Sequence, residues 1–255
     1  MSSRLELIPL ENFPRVEPGD DLAALICASL DAGALQLRGD DVLVLAQKIV
    51  SKAENRYAHL AAVQVSPEAS ELARRADKDE RLVQLILDES REVLRVRPGV
   101  IIVEHRNGYI HANAGIDRSN ILSDAQDPRV LLLPLDPDAS AAALRDELAR
   151  RTGSAPQVII NDSFGRAWRN GTVGVAIGSA GCEPLYNQIG EPDMFGNTLE
   201  VTEAAVADEL AAAASLVMGQ AAEGCPVVLV RGAGLRPSDT GSGGLLRDPA
   251  VDLFR

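Results

Sequence analysis

Long apolar runs, aromatic residues, histidine and closely spaced cysteines are all scarce in this 255-residue sequence. No stretch approaches the 18 or so consecutive apolar residues of a membrane-spanning helix. The opening MSSRLELIPLENF has no basic segment ahead of an apolar core, so no signal peptide is expected. Cys27, Cys182 and Cys225 lie far apart with no CxxC spacing, which excludes a disulfide framework and a zinc site and suits a reducing cytoplasm. The net charge of −12 leaves no basic face for nucleic acid or an anionic membrane. There is no GxxxxGK[ST] phosphate loop, no GxGxxG opening a helix after a strand, no GxSxG and no HExxH.

What is present is an ordinary globular composition, 46% hydrophobic and 24% charged, long enough for one large domain or two interlocked subdomains. The basic residues are nearly all arginine. The lysines are Lys48, Lys52 and Lys78, and two of them share the segment QKIVSKAE. Taken alone, that pair reads as a solvated loop.

Strand and helix signals alternate along the chain. Residues 5–10 suggest a first strand. A helix follows with Asp20 as cap and Leu22, Leu25, Ile26 and Leu30 on one face, stopped at Gly33. Residues 42–45 are wholly apolar, as in a strand covered on both faces, and place QKIVSKAE at a strand end. Ser66-Pro67-Glu68 starts one helix; residues 78–94 suggest another, broken by Pro98-Gly99. Residues 100–104 and 109–112 flank Asn107-Gly108, a pair suited to a type I′ hairpin turn. Further strands are expected at 130–135 and 157–160, with Asn161-Asp162-Ser163 at the end of the latter, and a helix at 138–151 stopped at Gly153. The Gly-rich 171–181 reads as a strand with close backbone approaches. A last long helix from about Thr202 precedes a strand at 227–230. Residues 239–244 (DTGSGG) read as a flexible loop, before an anchor at Asp252-Leu253-Phe254. The class is α/β with mixed α+β sheets, and the hairpin argues against a simple doubly wound sheet.

The chemistry-bearing pattern is one of acids after strands. Asp117 follows Gly115-Ile116, with Asn120 three residues on, and Asp162-Ser163 follows an apolar strand. Carboxylate, hydroxyl and amide oxygens are what a hard divalent cation binds. Two such cations roughly 3.5–4 Å apart can clamp the attacking and leaving oxygens of a phosphoryl transfer. Read by spacing alone, however, both acids are ordinary turn residues, and that bland reading leads. Arg166 and Arg169 flank Trp168, either as anion-binding forks or as solvated neighbours of a core tryptophan. His111 reads as a packed bystander rather than a general base, and His59 and His105 receive no role.

The blocks QKIVSKAE (47–54), ANAGIDRSN (112–120), NDSFGRAWRNG (161–171), GVAIGSAG (174–181) and DELAAAASLVMGQAAEGCPVVLVRG (208–232), with the late DLF, resemble in order and across nearly the whole chain the coenzyme F-420:L-glutamate ligase family, also called F-420-0:γ-glutamyl ligase. The resemblance implies a cytoplasmic enzyme that uses GTP to attach L-glutamate to F-420-0 and to extend a γ-linked tail, releasing GDP and phosphate. It implies a family-specific α/β fold forming an intertwined homodimer, a requirement for Mg²⁺ or Mn²⁺ at two positions, and assistance from K⁺. Carried over by motif, Asp117 and Asp162 would bind one metal, and Ser163 and Gln220 the second. Gln47, Lys48, Lys52 and Asn120 would contact GTP, as would Leu216, Val217, Met218, Gly219, Gln220, Ala221, Ala222, Glu223 and the loop before Gly19. Asp117, Asp162 and Lys52 would be the catalytic set, acting through an acyl phosphate on the acceptor carboxylate.

Some positions depart from the family pattern. Asn55 stands where glycine is usual, Ser163 where threonine is. Asn187 and Ile189 fall where an acid and an arginine are expected, and Asn197 replaces an arginine. The sequence is expected to end with the ligase module, without the reductase-like extension of some relatives. Two other readings remain open: a related nucleotide-dependent amide ligase for a different carboxylate and amine, and a non-catalytic nucleotide- or metal-binding relative.

Overall fold

A computed structural model describes residues 4–124 and 126–254. Its central sheet is built from β1 (Glu6–Pro9), β2 (Val42–Ala46), β8 (Gln157–Arg166), β9 (Arg169–Ala180) and β12 (Val227–Arg231) in the order β1-β12-β2-β8-β9. Only the β2–β8 pairing is parallel; the others are antiparallel. Among the described residues there is therefore no doubly wound sheet, as the hairpin signal suggested.

The alternation in β2 explains how the sheet is held. Leu43 and Leu45 enter one buried cluster with Ile160, Val227 and Leu229, against α1 (Leu22–Ala32) and α5 (Pro137–Thr152). Val42 and Val44 point the other way, to Ile159, Val228 and Val230 under α6 (Val206–Met218). Both faces are apolar because both are covered, and each fully buried Val or Leu contributes about 1.5–3 kcal/mol. Gly174 and Gly178 let helices approach β9 closely. A Cβ at Gly174 would lie 2.4 Å from the Ala211 carbonyl oxygen, and one at Gly178 2.6 Å from that of Pro137.

A third cluster lies beneath α3 (Pro67–Ala76) and α4 (Glu80–Asp88), packed on a sheet of β4 (Ser90–Arg97), β5 (Val100–His105) and β6 (Ile110–Ala112). Elsewhere β3 (Tyr57–His59) pairs with β7 (Arg129–Leu131), and β10 (Tyr186–Asn187) with β11 (Glu203–Ala204). The short α2 (Gln47–Ala53) follows β2 without a loop.

The caps follow the sequence closely. Ser66 accepts from the Ala69 N–H at 3.1 Å and Gly153 ends α5 in the left-handed region, while the cap of α1 is Asp21 rather than Asp20. Four expectations need correction. The helix expected over 78–94 ends at Asp88, and the alternating SREVLRVR pairs with β5 instead. In the β5–β6 turn only Gly108 of the Asn-Gly pair has positive φ, 94°, and its N–H donates to the His105 carbonyl at 2.7 Å. That is a three-residue turn with the glycine in the left-handed position, not type I′. Trp168 is 89% exposed at the β8–β9 turn, not a core anchor. Leu253 is 90% exposed and so is not an apolar anchor, whereas Arg247 stacks over the Phe254 ring at 5.7 Å and lies 3.9 Å from Asp252.

Candidate active site

The sequence places β2 directly before α2, and this junction opens into a cavity of about 640 Å³. Lys48 and Lys52 are four residues apart on the helix and so share a face; both line the cavity with Gln47. The QKIVSKAE segment is thus helical, not a loop. Its end explains one departure. Asn55 has φ 53°, its N–H donates to the Lys52 carbonyl at 2.9 Å, and the Arg56 N–H donates to the Ser51 carbonyl at 2.8 Å. This helix ending requires a left-handed residue, a place for glycine that asparagine also tolerates.

The opposite wall comes from β8 and the turn after α6. Asp162 and Ser163 lie inside the ten-residue β8, not at its end, because Asp162 to Gly165 pair with Val175 to Thr172 of β9. The Ser163 hydroxyl donates to Gln220 Oε1 at 2.8 Å, and Gln220 Nε2 donates to the Ser215 hydroxyl at 3.0 Å. Met218 through Glu223 line the cavity, whereas Leu216 is 88% exposed on α6 and Val217 packs toward the buried layer between α6 and the central sheet; neither reaches the wall. Gly219 turns the chain at φ 73°, and Glu223 closes the turn by accepting from the Ala221 N–H at 2.8 Å.

Asn120 bridges the two walls. Its carbonyl accepts from Lys52 Nζ at 2.8 Å, and its Nδ2 donates to the Ala221 carbonyl at 2.9 Å. Asp117 stands one layer back. It does not line the cavity, but its carboxylate contacts two residues that do: Lys48 Nζ at 2.7 Å and Gln47 Nε2 at 3.2 Å. Its backbone is fixed by a bridge to Leu131 (N–H to carbonyl 2.8 Å, and 2.9 Å in return).

Tyr57 and Arg129 line the cavity without any local signal in the sequence, whereas Phe13 to Glu17 belong to the loop before Gly19 and Cys225 and Pro226 to the 208–232 block. The N-terminal loop is held by the Gly19 N–H donating to the Ala53 carbonyl at 2.9 Å. Arg129 stacks over Tyr57 with 4.1 Å from guanidinium to ring centre. The cavity therefore gathers Arg15, Lys48, Lys52 and Arg129 in a chain whose net charge is −12. Burial pushes the Lys52 ammonium below its ordinary 10.5; Glu17 opposes the shift, while Lys48, Arg129 and Arg15 reinforce it.

His111, expected to be a bystander, is not. Its Nε2 lies 3.1 Å from Asp162 Oδ2 and its Nδ1 2.9 Å from the Ala112 carbonyl oxygen. Phe164 packs edge-on against its ring with centroids 4.0 Å apart. No local pattern could reveal a partner 51 residues away. His105 is wholly buried beside Glu89. Burial opposes the charge of Glu89, but His105, Arg56 and Arg106 outweigh it and hold the carboxyl below its usual range.

Among the described residues no group of three His, Cys, Asp or Glu side chains converges as a metal cluster. The Asp162 carboxylate, the Ser163 hydroxyl and the Gln220 amide oxygen, all hard donors, belong to residues that line the cavity, and the last two lie 2.8 Å apart. Such a set fits Mg²⁺ or Mn²⁺ completed by water and substrate oxygens better than it fits a soft metal. Chemically, the cavity offers cations for phosphates on one wall and a hard-oxygen wall opposite.

Residues 11–232 match the family model described as F420-0:Gamma-glutamyl ligase. A coenzyme F420:L-glutamate ligase of Methanothermobacter thermautotrophicus is 47% identical over 253 residues, covering 98% of this chain and 99% of the relative. The enzyme of that name from Methanopyrus kandleri is 44% identical, over 99% and 97% of the two chains. That of Archaeoglobus fulgidus is 42% identical, over 90% and 88%.

Proposed function

Because the chain belongs to the F420-0:gamma-glutamyl ligase family, we propose that it joins L-glutamate to coenzyme F-420-0 at the expense of GTP and extends the product through γ-linked glutamates. The observation that carries this reading is the cavity itself. Four separate segments bring Lys52, Asn120, Asp162, Ser163 and Gln220 to one space, and these are residues of the blocks that resemble the family.

A carboxylate resists attack by an amine, so the acceptor carboxylate oxygen takes the γ-phosphoryl of GTP and GDP leaves; the glutamate amine then attacks the acyl carbon, inorganic phosphate departs and the nitrogen loses its proton. Lys52, with Lys48 and Arg15 beside it, binds the phosphates and offsets the repulsion between phosphate and carboxylate. Gln47 and Asn120 hold the nucleotide in register, and the Gly219–Glu223 turn packs against it. Asp162, Ser163 and Gln220 would hold a divalent cation, with Asp117 as the further acid behind Gln47 and Lys48. When bound, such a cation supplies positive charge to the phosphoryl oxygens. Burial lowers the Lys52 ammonium from its ordinary 10.5, and its charged form is the one that clamps an anion.

The departures near residue 190 bear little on this cavity, and Ser163, which does line it, keeps the hydroxyl. Asn187, Ile189 and Asn197 are exposed and none lines the cavity. They sit on the arm formed by β10, β11 and the segment joining them, where Met194 is 90%, Phe195 82% and Val201 84% exposed. We assign that apolar arm to a second copy of the chain, in keeping with an intertwined homodimer.

The test is direct. The protein is incubated with GTP, Mn²⁺, L-glutamate and F-420-0, and GDP release and product mass are followed. A gain of glutamate units is expected; absent or glutamate-independent turnover would reject the reading. Oxygen-18 placed in the acceptor carboxylate should appear in released phosphate, and its failure to do so would remove the acyl phosphate.

A further inference from the structure

We propose that His111 is a positioning residue, which grips the Asp162 carboxylate from behind the cavity wall and fixes its orientation for a divalent cation. The inference rests on the reading above, in which Asp162 holds that cation. Asp162 lines the cavity and His111 does not, so the imidazole approaches the carboxylate from the protein side.

The two residues come from different sheets, His111 from β6 and Asp162 from β8. Their contact is one of the joints between those sheets. The Asp162 side chain is 9% and the His111 side chain 11% exposed, so water cannot stand in freely for either partner.

Both carboxylate oxygens of Asp162 are engaged. Oδ2 accepts from His111 Nε2 at 3.1 Å, and Oδ1 accepts from the Ser163 N–H at 2.8 Å. Each bond uses one acceptor site on its oxygen and leaves another free, so the carboxylate is oriented without being consumed. The histidine is itself held in place, with Nδ1 2.9 Å from the Ala112 carbonyl oxygen and the Phe164 ring edge-on against it. A rotamer held at both ring nitrogens and on one face transmits that rigidity to the acid. Donors behind a ligating oxygen are worth about 10–100-fold in metal affinity.

The alternatives are distinct. His111 could serve packing alone, with any side chain of similar size sufficing, or it could leave Asp162 and ligate the cation itself. Substitutions separate them. The amide nitrogen of glutamine reaches about as far as imidazole Nε2, whereas that of asparagine stops near the Nδ1 position. His111→Gln therefore keeps a donor to Asp162 and His111→Asn loses it, although both remain polar.

Mn²⁺ binding is measured on the full chain, without nucleotide or acceptor, from the free-ion paramagnetic resonance signal. H111N should weaken binding about 10–100-fold and H111Q should restore it to within about threefold of the wild type. Equal binding by H111N and wild type overturns the proposal, and so does equal loss in both variants. If the wild-type protein binds no Mn²⁺, the metal assignment itself fails, an outcome distinguishable from the other two.

A second measurement needs no variant to fold. In histidine-labelled wild-type protein, the exchange-protected Nε2–H signal of His111 should persist when Mg²⁺ is added. Its loss would mean that the imidazole has left Asp162 or become a ligand, and would overturn the proposal.

Discussion

Lys48 Nζ lies 2.7 Å from Asp117 Oδ2, so the acid of the ANAGIDRSN block is met by a cation from the QKIVSKAE block. Both side chains are partly exposed, and the pair is worth little as a stabilising contact. Its value is positional. It joins the end of one strand-and-helix unit to a loop whose backbone is independently fixed at Leu131.

Asp117→Asn should therefore separate activity from folding. The Leu131 bridge uses backbone atoms and survives the change. Turnover should fall by about two orders of magnitude or more, as when a charge-stabilising group is removed from an active site. The midpoint of thermal unfolding should move by no more than about 4 °C. Near-normal GDP release from this variant would remove Asp117 from the machinery.

GTP affinity should decline on the alkaline side before an ordinary lysine would titrate. The Lys52 pKa is lowered from 10.5, chiefly by burial. Cationic Lys52 favours the bound phosphates, so affinity is full below the lowered pKa and is lost as pH rises through it. For folding the sign differs: the depressed pKa penalises the charged form, and this penalty is relieved between the lowered pKa and 10.5. Calorimetric titration with GTP across this window checks the first effect. Lys52→Arg, which keeps its charge throughout, should abolish the pH dependence while retaining part of the affinity.

Thiol labelling reports on the cavity. All three cysteines are free. Burial pushes the Cys182 thiol up to about 11, and it should resist alkylation until the protein unfolds. Cys225 lines the cavity and is partly exposed. Saturating GTP should slow alkylation of Cys225 but leave Cys27, which lies elsewhere, unchanged. Equal protection of both would point to general tightening instead of occupancy.

Gly174→Ala should cost both stability and turnover. The new Cβ would stand 2.4 Å from the Ala211 carbonyl and 2.6 Å from Asn161 Oδ1, forcing α6 away from β9. Overpacking of this kind costs about 1–3 kcal/mol, or roughly 2–4 °C in unfolding midpoint per kcal/mol for a chain of this size. Gly165→Ala, with nothing within 4 Å of its Cβ, is the control and should be close to neutral in thermal melts.

If a second copy covers the β10–β11 arm, Met194→Asp with Phe195→Asp should convert a dimer to a monomer in sedimentation velocity. These side chains are 90% and 82% exposed, so the substitutions disturb little within one chain. A wild-type protein that sediments as a monomer would end the assignment.

Much of the framework was legible beforehand. The wholly apolar Val42 to Leu45 marked a strand covered on both faces, Ser66-Pro67 marked a helix start, and Gly153 a helix end. Errors fell where a local pattern served two structures. Leu82, Leu85 and Ile86 suit a helix, and the following SREVLRVR could extend it; only pairing with Val100 to His105 made it a strand. Likewise NDS after an apolar run looks like a strand end until β9 pairs alongside it. Trp168 was ambiguous because burial of a lone aromatic depends on what lies opposite, and at this hairpin tip nothing in the described chain does.

For the site, the ordered blocks of the sequence determined the family and named most of the residues that meet in the cavity, because residue types at fixed spacing survive in linear order. Tertiary structure alone decided which atoms touch. It set Asp117 behind Lys48, put Leu216 outside the wall, brought Arg129 in, and changed His111 from a bystander into the partner of Asp162. Hydrogen bonds across 51 to 101 residues arise from sheet packing and loop closure. These depend on the whole chain at once, so no window of sequence contains them.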